Sequence, residues 1–345
     1  MNFAKPWQHT GIDFTGQISV KVEGEIVKMY ILIFTCLNVR AVHFELLPNM
    51  STKQVLLAYV RHFNRFQPPQ KIYSDNANSF LSSLKILNRS SLDNEYKDFL
   101  LKYNVQHVTI PLYGAWQGAA WERLLRCVKG CIRKTIGRKI LNYFEYLTLL
   151  TDVENSVNMR PLTYRNIDQS DFDIITPNSF LKLSTGEHLV FGEVGGDQFQ
   201  PPAREELLGV LERRQAHLDT FLDLWRTEYL LALRETGRDL YQETWKDRIT
   251  VGEVVLIQDK DQPRSHWKVG LVTQLILGHD NKVRSAKVRR PDRSEGIYPI
   301  CHLVPLELSV TSAPENPPSD EVPPRDRPTP RRAALECKRK LRSLE

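Results

Sequence analysis

Long apolar runs are missing from this 345-residue chain, which has no stretch of 18 consecutive apolar residues. The sequence therefore predicts no membrane-spanning helix. Cysteine is scarce. The five residues at 36, 127, 131, 301 and 337 are unevenly spaced and odd in number. That fits reduced thiols in the cytosol or nucleus better than a secreted disulfide framework. Paired His and Cys at zinc-ligand spacing are also absent, so no zinc site is expected in this chain. The opening MNFAKPWQHTGIDF lacks the basic start and apolar block of a secretory signal. No internal repeat is visible. What is present is ordinary globular material, 41% hydrophobic and 26% charged, long enough for about two domains. Lys and Arg number 47 against 41 acids, for a net charge of +6. That excess is a mild lean toward nucleic acid or another polyanion, since many basic proteins bind neither.

The first 45 or so residues read as strands. HTGIDF is short and bounded by polar and Gly positions, QISVKV alternates, and EGE makes a turn. VKMYILIFTCL is a β-branched apolar run expected to be a central strand buried on both faces, and AVHFELL follows it. Short connections between these runs suggest an antiparallel meander. The period then changes. STKQVLLAYVRHFNRF puts Val55, Tyr59, His62, Phe63 and Phe66 on one helical face, with Ser51 or Thr52 as cap and Pro68-Pro69 as the stop. KIYSD is a strand ending at Asp75, helices are expected at about 78–87 and 91–103, and VQHVTI is another strand. Two more helices are predicted at about 118–136 and 142–160. The order β-β-β-α-β-α-β-α-α predicts an α/β fold of ribonuclease-H-like kind, a mixed five-stranded sheet with flanking helices.

Residues 160–203 carry loop signals, and a long polar helix is expected over 204–236. Beyond it, ITVGEVVLIQDK, HWKVGLVTQLILG, KVRSAKVRRP and GIYPICHLVPLEL read as four or five short strands, a small SH3-like β-barrel. The tail holds seven prolines in its last 35 residues and is expected to be disordered. The expected divisions are 1–182 for the α/β core, 183–245 for a linker with the long helix, 246–308 for the barrel, and 309–345 for the Pro-rich basic tail.

Three acids fall on elements whose ends converge in such a sheet. Asp13 lies in the first strand, Asp75 at the end of the fourth, and Glu122 in the first turn of a helix. Taken singly each has a plain reading, as an Asx turn or as a complement to a helix dipole. Together they would repel one another unless a divalent cation joined them. Carboxylate oxygens select Mg2+ or Mn2+, and two such ions can clamp the attacking and leaving oxygens of phosphoryl transfer.

The helix over 118–136 adds a second pattern. Trp121, Leu125, Val128, Ile132 and Ile136 form a core stripe. Glu122, Arg126, Lys129 and Arg133 recur at i, i+4, i+7 and i+11, so one carboxylate heads a basic ridge. A solvated face with a Glu122–Arg126 pair is the plain alternative. Farther on, KVRSAKVRRPDR sets six bases against one acid and includes Lys287, Arg289 and Arg290. Such a strand can bind phosphates without reading sequence, or serve as an edge strand guarded by charge.

HTGIDFTG, YSDNANSF and GAWQGAAWERLLRCVK resemble the three blocks of retroviral and LTR-retrotransposon integrases. NMRPLTY and ITPNSFL look like the block that follows the core in the BEL/Pao group, and the VGEVVLI module resembles the C-terminal domain of those polyproteins. The resemblance runs over about residues 6–308. It implies that Asp13, Asp75 and Glu122 are the catalytic, metal-holding triad with two Mg2+ or Mn2+ ions. It also implies that Arg126 and Lys129 approach DNA; Asn76, Gln117, Arg133, Lys287, Arg289 and Arg290 are further DNA-binding candidates from the residues themselves, with a structural turn as the equal alternative for Asn76. Trp116 stands in the same loop as Gln117. The gap of 46 residues between Asp75 and Glu122 is longer than in the best-known retroviral members. Gln17 stands where Pro is usual, Ala77 where Gly is frequent, and Ala119-Ala120 where Gly is common; none of these removes a ligand. Only 12 residues precede Asp13, so an integrase fragment without the zinc-binding domain, a truncated gene model or a gene derived from an element is expected. The function implied is metal-dependent 3′-end processing and strand transfer. The partners implied are DNA and further copies of the chain, in the nucleus and away from membranes. The alternative is an element-derived nucleic-acid-binding protein without activity.

Overall fold

The computed structural model describes residues 5–74, 92–109, 115–168, 171–181, 204–241, 249–258, 267–279 and 282–308, with side chains left undescribed at 92–94, 109, 115–122, 166–168, 171, 204–208 and 236–241. Strand β1 (His9–Phe14) and strand β2 (Ile18–Val22) both run antiparallel to β3 (Glu25–Cys36). The first covers the second half of β3, from Phe14↔Leu32 to Thr10↔Cys36, and the second covers its first half, from Val22↔Glu25 to Ile18↔Met29. They are thus one long strand interrupted at residues 15–17, where Thr15 keeps contact by donating N–H to the Ile31 carbonyl at 2.9 Å. Glu23 and Gly24 connect β2 to β3 with φ of 50° and 92°. Two positive φ values give the mirror-image turn that matches strand twist.

β4 (Val42–Leu47) lies antiparallel on the other side of β3. β5 (Lys71–Ser74) runs parallel to β1, and β6 (Gln106–Thr109) runs parallel to β5. The two residues of β7 (Leu141–Asn142) add to the edge of β2. The order β4-β3-β1-β5-β6, three antiparallel strands followed by two parallel ones, is the ribonuclease-H-like arrangement. The expected meander is present, with its first two runs serving as one strand.

Strand periodicity splits β3 between two faces. Leu32 and Phe34 join Ile12, Leu47 and Ile72 under α1 (Thr52–Phe66) and α2 (Leu92–Lys102). Ile31 and Ile33 face α3 (Ala115–Ile136) and α4 (Tyr143–Asn158) through Leu125, Val128, Leu149 and Val153. Ser51 caps α1, and Gln67 ends it at φ 72° before the two prolines. Asn142 and Glu145 form a reciprocal capping box on α4. At the β4 edge, buried Glu45 accepts from Arg61 and Arg65 at 2.6 Å each, and His43 sits between Glu45 and Glu154. The helix expected at 78–87 lies outside the described residues.

Two expectations need correction. The segment after residue 160, read as loop, holds a hairpin of β8 (Thr163–Asp168) and β9 (Asp171–Ile175). Asn166, Asp168, Asp171 and Asp173, which spell loop in sequence, lie within its strands, while Tyr164 and Phe172 bury into the main core. A short helix, α5 (Asn178–Leu181), follows. The helix α6 (Arg204–Tyr241), read as polar, carries the buried stripe Phe221, Trp225, Tyr229 and Leu233 at four-residue spacing. Charged residues on three sides hid that stripe.

Five antiparallel strands complete the described chain: β10 (Val254–Ile257), β11 (Val269–Leu277), β12 (Val283–Arg289), β13 (Glu295–Pro299) and β14 (Leu303–Pro305). Their order, β13-β12-β11-β10-β14, is that of a small SH3-like barrel. Val255, Val272, Ala286, Val288 and Leu303 fill it. Leu256, Val269, Val304 and Leu306 point outward to α6 and extend the main core. Residues up to Val310 form one compact unit. The divisions expected after residues 182, 245 and 308 each abut residues outside the described set.

Candidate active site at the end of the first strand

Asp13 is the second-last residue of β1. It pairs with Ile33 on β3, and the residue before it, Ile12, pairs with Ser74 at the end of β5. Since Ile12 points into the α1 face, Asp13 points to the opposite one, toward α3. Its side chain is half-buried, and both oxygens have partners. Oδ1 accepts from the Phe14 backbone N–H at 2.7 Å, and Oδ2 accepts from the Lys129 ammonium at 2.5 Å. Lys129 also donates to the Phe14 carbonyl at 2.8 Å. The end of β1 thus holds a lysine of α3 by a carboxylate and a backbone oxygen.

Helix α3 reaches this point because its apolar face lies on the sheet. Leu124, Leu125, Val128, Cys131 and Ile132 are buried, a wider stripe than the sequence pattern gave, and Ile136 packs at its margin. Lys129 follows Val128 and therefore sits at the border of that face. Glu122 is seven residues earlier on the same helix, two turns or about 10 Å along the axis on nearly the same side. Its side chain, like those of Trp116, Gln117 and Trp121, lies outside the described set. Arg126 and Arg133 are exposed on the outer side. The basic ridge is therefore divided: Lys129 is engaged inward, and the other two face solvent.

Asp75 follows Ser74 directly, and Asp75 and Asn76 lie outside the described residues. The strand end before them is pinned. Ser74 is buried, its hydroxyl lies 2.8 Å from His107 Nε2, and His107 Nδ1 lies 3.3 Å from the Tyr96 hydroxyl. The Tyr96 hydroxyl in turn meets that of Tyr59 at 3.3 Å. Burial pushes the His107 pKa down to about 4, so the ring is neutral at physiological pH. This relay was missed at the level of sequence, where Ser, His and Tyr are too common to signal a chain spread over 48 residues, from Tyr59 to His107. The Lys129–Asp13 pair was not read from sequence either, where Lys129 stood only as a member of the basic ridge.

In the barrel, Ala286 and Val288 point inward, so Lys287 and Arg289 point out. Lys287 is paired with Glu295 of β13 at 2.5 Å. Arg289 and Arg290 are half-buried. Among the described residues no group of three or more His, Cys, Asp or Glu is close enough to hold a metal ion, and no helix is long and apolar enough to cross a membrane. The donor chemistry of the three acids suits a hard cation. Asp13 offers a solvent-accessible carboxylate at a strand end, which fits Mg2+ or Mn2+ rather than a thiolate-seeking metal.

A family model described as a family of unknown function (DUF5641) matches residues 211–306, the greater part of α6 and the barrel. No curated protein matches the chain. The chain is similar to a solved simian T-cell lymphotropic virus intasome in complex with PP2A regulatory subunit B56 gamma, at 10% identity and TM-score 0.37 over 88% of this chain and 80% of that one. It is also similar to the HTLV-2 integrase catalytic core domain in complex with magnesium in its dimeric form, at 15% identity and TM-score 0.34 over 52% of this chain and 100% of that one. The trimeric form of that core gives 17% identity and TM-score 0.30 over 46% of this chain and 90% of that one. These solved neighbours are retroviral integrases.

Proposed function

We propose that this chain is an integrase-type polynucleotidyl transferase of the BEL/Pao kind, acting on DNA. The observation that carries the reading is the meeting of three elements. The end of β1 with Asp13 lies beside the end of β5, from which the chain continues to Asp75, and α3, which bears Glu122, approaches near enough for Lys129 to bond Asp13. Three sequence blocks that resemble one family thus come from elements that converge.

On this reading Asp13, Asp75 and Glu122 hold two Mg2+ or Mn2+ ions, which supply activation of the nucleophile and stabilisation of charge on the leaving oxygen when bound. The chain's own residues position the substrate. Arg126 and Arg133, exposed on α3, follow the phosphate backbone next to the scissile bond, with Asn76 and Gln117 at the DNA end. Arg289 and Arg290 extend the contact along the barrel, and Lys287 joins them on exchanging Glu295 for phosphate. Water first trims the 3′ ends; the new 3′-hydroxyl then attacks a target phosphodiester, forming one P–O bond as another breaks. Assembly of several copies on paired ends and work in the nucleus belong to the same proposal.

A second reading, DNA binding without catalysis, is favoured by the occupancy of Asp13 by Lys129. Strand-transfer and disintegration assays on short DNA with Mg2+ or Mn2+ separate the two. The transferase reading expects metal-dependent products that vanish in Glu122→Gln. Salt-sensitive DNA binding, with no products from either protein, supports the second reading.

A further inference from the structure

Lys129 has an unusual position for a residue expected to touch DNA. Its ammonium is turned inward, 2.5 Å from Asp13 Oδ2 and 2.8 Å from the Phe14 carbonyl, and its side chain is 27% exposed. Its neighbours on the same ridge, Arg126 and Arg133, are exposed. The other Asp13 oxygen already accepts the Phe14 N–H. The carboxylate therefore has its negative charge neutralised by a side chain of α3. A divalent cation on the same carboxylate would meet the ammonium as a like charge at close range.

We propose that Lys129 is a resident stand-in for the metal, and that cation binding at Asp13 displaces its ammonium and frees it for a DNA phosphate. The proposal rests on the reading of Asp13 as a metal ligand. Its physical basis is competition for one anion. While Lys129 is bound, Asp13 keeps a counter-charge, and the strand end stays tied to α3 through the Phe14 carbonyl. When the cation enters, the lysine loses its carboxylate partner, and a flexible four-carbon stem lets the ammonium swing outward to the ridge of Arg126 and Arg133. Metal loading and phosphate capture are then linked events. By thermodynamic reciprocity DNA tightens metal binding as metal tightens DNA binding. Lys129 is in this sense a positioning residue, acting through Asp13 in one state and on DNA in the other.

The test is Mn2+ binding to the full chain without DNA, followed by the electron paramagnetic resonance of free Mn2+. The proteins are wild type, Lys129→Gln, Asp13→Asn and the double variant. Removing a competing unit charge at contact distance is expected to tighten Mn2+ binding by about tenfold in Lys129→Gln. The same substitution should have no effect in the Asp13→Asn background. Equal Mn2+ affinity in wild type and Lys129→Gln, with weaker binding in Asp13→Asn, would overturn the stand-in role while leaving Asp13 as a ligand. Unchanged affinity in Asp13→Asn would overturn the metal reading itself, and the stand-in role with it. A second measurement needs no substitution. In protein with 15N-labelled lysine, the Lys129 Nζ resonance is expected to shift and to lose its protection from solvent exchange when Mg2+ is added. An Nζ signal unmoved by Mg2+ at concentrations that saturate the site would contradict the proposal.

Discussion

Arg160 Nε donates to Glu307 Oε2 at 3.2 Å, joining the end of the helix that backs the main sheet to the end of the barrel, with Arg160 fully buried. The same guanidinium donates to the carbonyls of Val157 and Arg40, and Glu307 also accepts from Arg40 at 2.6 Å and from the Tyr229 hydroxyl at 3.1 Å. Core, long helix and barrel meet on one carboxylate. Breaking such a pair from one side leaves a buried charge alone, which typically costs about 3–5 kcal/mol. Glu307→Ala is expected to lose that much in urea unfolding. Lys134→Ala, which removes the exposed pair with Glu228, should leave the urea midpoint nearly unchanged.

The same carboxylate makes the junction sensitive to acid. Burial by itself would raise the Glu307 pKa, but Arg160 and Arg40 hold it below the usual 4.5. A lowered carboxyl stabilises the fold above its unfolded pKa and loses that contribution as pH falls through the folded value. Wild type should therefore lose stability steeply below pH 4.5, and Glu307→Gln should start lower and fall less over the same range. Parallel pH–stability curves would count against the assignment.

His107 gives a second pH limb, nearer neutrality. Its folded pKa of about 4 lies under the ordinary 6.5, because burial disfavours the charged ring. The unfolded chain takes up the proton first, so the contribution is complete above 6.5 and is lost as pH falls toward 4. Its size is on the order of 3 kcal/mol. Buried His62 titrates with the same sign, so the difference between wild type and His107→Gln isolates the residue. That variant should show a shallower loss between the two values, measured by chemical unfolding at stepped pH.

Gly270 predicts a packing effect in the barrel. A Cβ there would collide with Val288 Cγ1 and approach the Arg289 carbonyl oxygen to 3.0 Å. The neighbour is a strand of the same small sheet and has little room to shift. Gly270→Ala is expected to destabilise by about 1–3 kcal/mol, the usual cost of overpacking. Gly16→Ala serves as the control, since nothing lies within 4 Å of its Cβ.

Much of this fold was legible because its signals are local. The alternation in ISVKV, the buried run of β3 and the capped helix over 52–66 each carry their period in one short window. The hairpin at 163–175 was not legible, because its Asn and Asp residues spell turn and its two buried aromatics count only once the core is known. The block NMRPLTY could be read as a motif, yet the work of its Arg160 depends on Glu307, 147 residues away. The candidate site divides in the same way. Its carboxylates and basic ridge stand out in sequence, whereas the grip of Lys129 on Asp13 needs the crossing of α3 over β1 to become visible.

The most direct measurement of the central claim is a crystal structure of the chain soaked with Mn2+, with anomalous scattering used to place the metal. The account predicts a manganese peak on an Asp13 carboxylate oxygen, shared with Asp75 or Glu122, at about 2.0–2.3 Å, and Lys129 turned away from Asp13. Manganese bound elsewhere, or none bound while Lys129 still holds Asp13, would contradict it.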